Sequence, residues 1–382
     1  MSTSIRPFTV SIPDEQITDL RERLARTRWP APLSEGWEYG TPVRYLRELC
    51  DYWRENYDWR RWEERLNAFP HFVAGYDGID LHFIHRPSPH ADARPLLMIH
   101  GWPGSVFEFH KIIDVLAEPE RHGGRKEDAF HVVCPSIPGF GFSSAPQSPG
   151  FETRAASRLF FRLMSDLGYE RFFVQGGDLG AGIALKMARL GQERIVAAHL
   201  NMALLFAPKQ DPMRNVTEEE RKRLDESQDP DGVGYAAIQS TKPQSLGYGL
   251  TDSPAGLAGW IVEKFHAWTD HNGDLERAVS RDELLTNISI YWFTATATSS
   301  ARYYYETAHY DEASANDPQT VPAPISFALF PADLMQPPRE WARRKFNLAR
   351  WTRMPRGGHF AALEEPELLA NDIWESFRDS SE

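Results

Sequence analysis

The chain of 382 residues reads as an α/β protein: a mostly parallel central sheet flanked by helices, preceded by a helical extension and interrupted by a helical insertion. Three observations lead there. From about residue 76, short β-rich runs ("IDLHFIH", "PLLMIHGW", "FHVVCPSIPGFG", "RFFVQGGD") alternate with amphipathic stretches such as "EFHKIIDVLAEP", the rhythm of parallel strands joined by helices. That rhythm breaks near residue 206 and returns in "APISFALFPAD" and "ARWTRMPRGGH". Before residue 76, apolar residues recur instead at helical spacing.

The elements follow in order. Residues 1–75 are expected to be helical: Pro13 suits a first turn, with Ile17, Leu20 and Leu24 on one face. Thr41 can cap a second helix with Pro42 at its first position, and Val43, Leu46, Cys50, Trp53 and Tyr57 form its stripe. Trp59, Trp62, Leu66 and Phe69 repeat the pattern in "WRRWEERLNAF", and such stripes serve packing more often than partner binding. Residues 76–205 form the first part of the core and 311–382 the second. Between them, 206–310 open with the polar "APKQDPMRNVTEEERKRLDESQDPDG" and continue as apolar and aromatic helical sequence. This is the pattern of a cap over the carboxyl edge of the sheet, where open α/β folds bind ligands.

Composition narrows the function classes. Hydrophobic residues make up 41% and charged residues 25%, as in an ordinary globular protein, and no internal repeat is found. The 42 basic and 54 acidic residues leave a net charge of −12, which argues against a nucleic-acid or anionic-membrane partner. Cys50 and Cys134 supply neither a disulfide framework nor a thiolate metal site, and a reducing cytoplasm fits them. The start, "MSTSIRPFTVSIPDE", lacks a signal peptide's basic and apolar regions, and no segment offers about 18 uninterrupted apolar residues. The most apolar stretch, "IVAAHLNMALLFAP", is broken by His199 and Asn201 and reads as a buried strand.

The chemistry centres on "FFVQGGDLGAG", Phe172–Gly182. A nucleophile elbow needs small residues two before and two after the reactive side chain, between a strand and a helix. Gly176 and Gly180 stand at those places around Asp178. A dinucleotide fingerprint fails here, because the register with Gly180 and Gly182 puts Leu185 third. An aspartate that merely caps the helix is the plainer alternative. Two companions favour the nucleophile. In "HGWPGS", after the strand "PLLMI", the loop is placed to give one backbone N–H to an oxyanion hole, with the residue after the nucleophile giving another: Trp102 and Leu179. In "RGGHFAALEEPE", His359 is the chain's last histidine, and "FALFPADLMQPP" offers Asp333 before it, completing the α/β-hydrolase order of nucleophile, acid and base.

With these residues in place, the chain resembles, over nearly its whole length, the α/β-hydrolase epoxide hydrolases of the branch with the microsomal and juvenile-hormone enzymes. The resemblance rests on "IPDEQITDLRERLARTRWP", "HGWPGS", "GGDLG", "IQSTKPQSLGYGLTDSPAGLAGWIVEKFHAWTD", "YWFTATATSSARYYYE" and "RGGHFAALEEPE". It implies Asp178 as nucleophile, His359 as base, Asp333 as supporting acid, and Tyr235 and Tyr304 as cap phenols that hold the epoxide oxygen. The helical extension is itself a mark of the branch. For Tyr304 the residues add an argument: neighbours on a helix point about 100° apart, so the three tyrosines of "RYYYE" cannot share a site, and Ala297 and Ser300 give Tyr304 a small-residue face. Aromatic packing then applies to Tyr303 or Tyr305. The family often has Trp after the nucleophile where this chain has Leu179; the backbone donor is kept and the pocket changes shape. No amino-terminal anchor like that of the microsomal enzyme is read, which suggests a soluble bacterial type.

The expected reaction is hydrolysis of a small-molecule epoxide by water to a vicinal diol through an ester on Asp178, with no cofactor, no metal, no nucleic acid and no membrane partner. Aromatic residues of the cap, Trp260, Trp268, Trp292 and Phe293, suit a bulky or aryl substrate, and Trp102, Leu179, Trp292 and Phe293 are the candidate substrate-binding residues. Two rival functions share parts of this pattern. A dehalogenase uses the same Asp–His–acid set, but Leu179 and the tyrosine pair disfavour it, and halide release would reveal it. A silent fold that binds a ligand or partner would show no epoxide turnover. The oligomeric state is not legible, a homodimer being left open, and biosynthetic and detoxifying roles are equally open.

Overall fold

The short apolar runs form one nine-stranded sheet in the computed structural model, which describes residues 4–191, 193–227, 229, 232–310 and 321–378. Its strands are β1 (Ile5–Phe8), β2 (His71–Tyr76), β3 (Ile79–Arg86), β4 (Arg94–Ile99), β5 (Phe130–Pro135), β6 (Phe172–Gly176), β7 (Ile195–Leu200), β8 (Ile325–Leu329) and β9 (Leu348–Arg353). They lie in the order β1-β2-β3-β5-β4-β6-β7-β8-β9. The pairs from β1 to β5 along that order are antiparallel, and the rest, β5-β4-β6-β7-β8-β9, are parallel.

The parallel strands read as continuous apolar runs because both faces are covered. In β4, Leu97 and Ile99 join one apolar cluster while Leu96 and Met98 join the other, as alternation across a strand requires. The first cluster takes in the helices Thr153–Asp166 and Asp178–Leu190; the second takes in Ile113–Ala117 and Pro366–Phe377.

The register brings strand ends together. Ile99 pairs with Gly176, Gly176 with Leu200, and Leu329 with Arg353. The segments that follow β4, β6, β7, β8 and β9 therefore leave from one edge, and they carry Trp102, Asp178, Asn201, Asp333 and His359. Between β7 and β8 the described elements are all helices, among them Gly234–Thr241, Pro254–Trp268, Arg281–Phe293 and Ala297–Tyr310.

The amino-terminal region departs from expectation in two places. It contains three helices, Asp14–Ala25, Val43–Glu55 and Trp59–Asn67, but begins with β1 and ends in β2, which extend the sheet's antiparallel edge. A four-residue edge strand is too short for alternation to register in the sequence. Thr41 does not cap the second helix, which has Pro42 at its cap; the Thr41 hydroxyl instead donates to the Gly259 carbonyl at 2.8 Å. The aromatic stripes are packing: Trp53, Trp59 and Trp62 are buried, and Trp53 Nε1 donates to Ser289 Oγ at 3.0 Å. Both cysteines are buried and unbridged. Among the described residues no helix is long and apolar enough to cross a membrane. Residues 311–320 and 379–382, at the ends of the expected second core segment, lie outside the described residues.

Candidate active site

Asp178 begins the helix after β6 with φ of +51°, a left-handed conformation that costs an L-residue of order 1–3 kcal/mol. The turn closes because its flanking glycines have no side chain. A Cβ on Gly176 would lie 2.4 Å from the Gly180 carbonyl oxygen, and one on Gly180 would lie 2.0 Å from that of Ile99. The carboxylate is thereby presented to the loop after β4. Trp102 N–H donates to Asp178 Oδ1 at 2.8 Å, and the Leu179 N–H bonds the same carboxylate. Burial pushes the Asp178 carboxyl up, and His359 with these two amides opposes the rise.

His359 follows β9 and is buried, its ring between two carboxylates. Nδ1 lies 2.7 Å from Asp333 Oδ1, and Nε2 lies 3.7 Å from Asp178 Oδ2. Burial alone would lower the imidazole's affinity for a proton; Asp333, then Asp178 and Glu108, outweigh it and hold the group up at about 9. Asp333 is fixed in turn by the Leu334 N–H, 2.8 Å from Oδ1.

Tyr235 and Tyr304 come from the helices Gly234–Thr241 and Ala297–Tyr310 and meet over Trp102. The Tyr235 ring stacks on Trp102 at 5.1 Å and 9°, while Tyr304 stands edge-on to it at 6.0 Å. The two phenol rings are 6.0 Å apart. Burial raises both phenols, and the Asp178 charge adds to each, so both remain protonated donors at neutral pH. The Tyr304 hydroxyl is buried and, among the described residues, makes no hydrogen bond of good geometry, although the two hydroxyls influence each other's proton. As expected, the neighbouring tyrosines face elsewhere: Tyr303 packs near Phe140 and Tyr305 stacks on His309.

Trp292 and Phe293, also expected to bind substrate, have other ring partners. Arg23 lies over the Trp292 ring at 5.7 Å, and Phe293 meets Trp59 edge-on at 4.9 Å. The face of the Arg281–Phe293 helix toward the active-site loop carries Asn287 and Tyr291, four residues apart. Asn287 Nδ2 donates to the Pro103 carbonyl and the Tyr291 hydroxyl to that of Gly104, both at 2.7 Å, which ties the loop bearing Trp102 to this helix. Trp268 borders the group: its ring lies 5.0 Å from His359, 5.2 Å from Tyr235 and 6.4 Å from Trp102. Glu108 and Asn201, which no sequence motif singles out, line a small cavity with Asp178 and His359. A carboxyl inside the apolar run "VFEF" was the available signal for Glu108.

A strand–turn–helix elbow, a histidine and an acid on later strand ends, and two backbone amides at the elbow define an α/β-hydrolase with a carboxylate at its centre. Comparison with known proteins carries this further. Residues 5–109 match the model described as "Epoxide hydrolase N terminus", and residues 94–290 match "alpha/beta hydrolase fold". The chain is 43% identical to epoxide hydrolase 1 of Oryctolagus cuniculus over 97% of its own length and 88% of the rabbit protein's. Among solved structures it is similar to the juvenile hormone epoxide hydrolase of Bombyx mori, with a TM-score of 0.91, 33% identity, and coverage of 99% of this chain and 95% of that one. The Aspergillus niger epoxide hydrolase gives a TM-score of 0.89 at 32% identity, covering 99% and 97%. The chain belongs to the epoxide hydrolase family, and its activity is the hydrolysis of epoxides.

Proposed function

We propose that the chain opens its epoxide by nucleophilic attack of Asp178 and hydrolyses the resulting ester with water activated by His359. In the first step a carboxylate oxygen of Asp178 bonds to an epoxide carbon and the carbon–oxygen bond of the ring breaks. Tyr235 and Tyr304 donate to the ring oxygen, where negative charge develops. Attack converts the carboxylate to a neutral ester. His359 thereby loses one of the charges that favour its protonated form and becomes a better base for the second step. Asp333 keeps Nδ1 protonated, which leaves Nε2 to take a proton from water. The amides of Trp102 and Leu179 stabilise the oxyanion formed at the ester carbon.

The observation that carries this reading is the pair of amides and the imidazole converging on one carboxylate, with the phenol pair above the same loop. The test is His359→Gln incubated with epoxide: the account expects the protein mass to rise by that of the substrate, and peptide mapping to put the adduct on Asp178. A variant that binds epoxide and never gains mass would contradict it.

The substrate reading rests on the rings around Asp178. Trp102, Tyr235, Trp268 and Tyr304 form an aromatic box, which suits a bulky or aryl substituent beside the oxirane. A panel of styrene-type, terpenoid and aliphatic epoxides, with chiral analysis of the diols, ranks that preference; aliphatic epoxides turned over fastest would oppose it. We read 206–310 as the cap, and the unbridged cysteines fit a cytoplasmic enzyme.

A further inference from the structure

Glu108 is an unusual residue for its surroundings. It sits in the one-turn helix Val106–Phe109, where Val106, Phe107 and Phe109 are all buried. A carboxyl in such a run is costly unless something uses it. Among the described residues it has no salt-bridge partner, and the Ser105 N–H that bonds it only partly offsets its burial. Its side chain folds back over the loop of "HGWPGS": a Cβ on Gly104 would lie 1.2 Å from Glu108 Oε1, so the glycine there makes room for the carboxyl.

The carboxyl opens onto the small cavity already noted. Glu108, Asp178, His359 and Asn201 supply its polar wall, and Ile99 and Leu369 part of its apolar wall. The space it leaves to a water-sized sphere, about 10 Å³, is room for one water, and a water needs two or more polar partners to be held. The cavity touches the carboxyl that carries the ester and the imidazole that takes the proton. It therefore satisfies the position required of the attacking water.

Resting on the mechanism proposed above, we infer that this cavity seats the hydrolytic water and that Glu108 is a positioning residue, accepting the hydrogen of that water which His359 does not take. The water oxygen then bonds to the Asp178 carboxyl carbon while one proton passes to His359 Nε2. As the tetrahedral centre collapses, the bond to the alkyl oxygen breaks, and the alkoxide takes the proton from the imidazolium to leave as diol. Asp178 keeps one oxygen from the water. The electrostatics agree with that timing. Burial pushes Glu108 up to about 8, His359 opposes, and the Asp178 charge adds to the rise. Esterification of Asp178 removes that repulsion and favours Glu108 as a carboxylate, the better acceptor form, when the water is needed.

The test separates the half-reactions by rapid quench and mass spectrometry in wild type, Glu108→Leu, Glu108→Gln and His359→Gln. Glu108→Leu should form the ester within about threefold of the wild-type rate and hydrolyse it at least about a hundredfold more slowly, so that ester accumulates. Glu108→Gln, which retains an acceptor oxygen, should recover part of the loss. Normal ester formation also reports a folded site. Equal falls in both half-reactions, or an unchanged hydrolysis rate, would overturn the role of Glu108. Absence of ester in His359→Gln as well would instead overturn the covalent mechanism on which the inference rests.

Discussion

The imidazole of His359 stands between two carboxylates of different duty, 2.7 Å from Asp333 through Nδ1 and 3.7 Å from Asp178 through Nε2. In the proposed mechanism only the second of these carboxylates is consumed when the epoxide is attacked, and this gives the catalytic cycle a pH signature. In the free enzyme the imidazole should titrate near 9, as its neighbours dictate. In the ester form it should titrate lower, because Asp178 no longer carries charge. Ester decay followed against pH should therefore show an acid limb below the imidazole titration of the free enzyme followed by NMR. An acid limb at or above that titration would contradict the arrangement.

The same raised imidazole bears on stability. Its value in the folded protein, about 9, exceeds the ordinary 6.5, so the stabilisation it brings is fully present below about pH 6.5 and is lost as pH climbs through 9. The urea midpoint of wild type relative to His359→Gln should be most favourable near pH 6 and should narrow toward pH 9. A difference that widens with pH would show that His359 is not held in its protonated form.

Tyr235→Phe and Tyr304→Phe each remove one proposed donor to the developing alkoxide. Ester formation should slow on the order of a hundredfold in each. Hydrolysis of ester already formed should change little, since that step uses the amides of Trp102 and Leu179. Stopped-flow tryptophan fluorescence can follow both phases, Trp102 being in contact with both phenols. Loss of hydrolysis with ester formation intact would reverse the assignment.

The elbow makes a sharper demand on packing. Gly180→Ala would drive a methyl to within 2.0 Å of the Ile99 carbonyl oxygen, whereas Gly182→Ala meets Leu204 at an ordinary 3.7 Å. The first should destabilise the protein by at least about 2 kcal/mol. The second, within the helix, should be neutral or stabilise it by about 0.5–1 kcal/mol. Equilibrium urea unfolding of the two variants distinguishes them, and equal stabilities would mean the elbow is looser than its geometry implies.

What could be read in the sequence is what the backbone enforces locally. The glycines around Asp178 are needed wherever a strand turns that sharply into a helix, and Asp333 and His359 sit where strand ends must converge, so all three could be named from order and spacing. Tyr304 could be separated from Tyr303 and Tyr305 by helical angle. The cap aromatics could not be sorted in this way. In Arg281–Phe293 every residue from Glu283 to Tyr291 is buried, so no polar side marks which face meets the site, and Trp292 and Phe293 were indistinguishable from Trp268 in composition. Glu108 is hidden for another reason: its placement depends on a fold-back over Gly104 and on a cavity walled by segments far apart in the chain. The edge strand β1 escaped notice because four residues carry too little pattern.

The covalent role of Asp178 is tested most directly by a single turnover in water labelled with oxygen-18, with enzyme in excess over epoxide. The account predicts that the first diol carries unlabelled oxygen from Asp178, and that the label appears in the Asp178 carboxylate. Prompt appearance of the label in that first diol would show that water attacks the epoxide directly and would contradict the account.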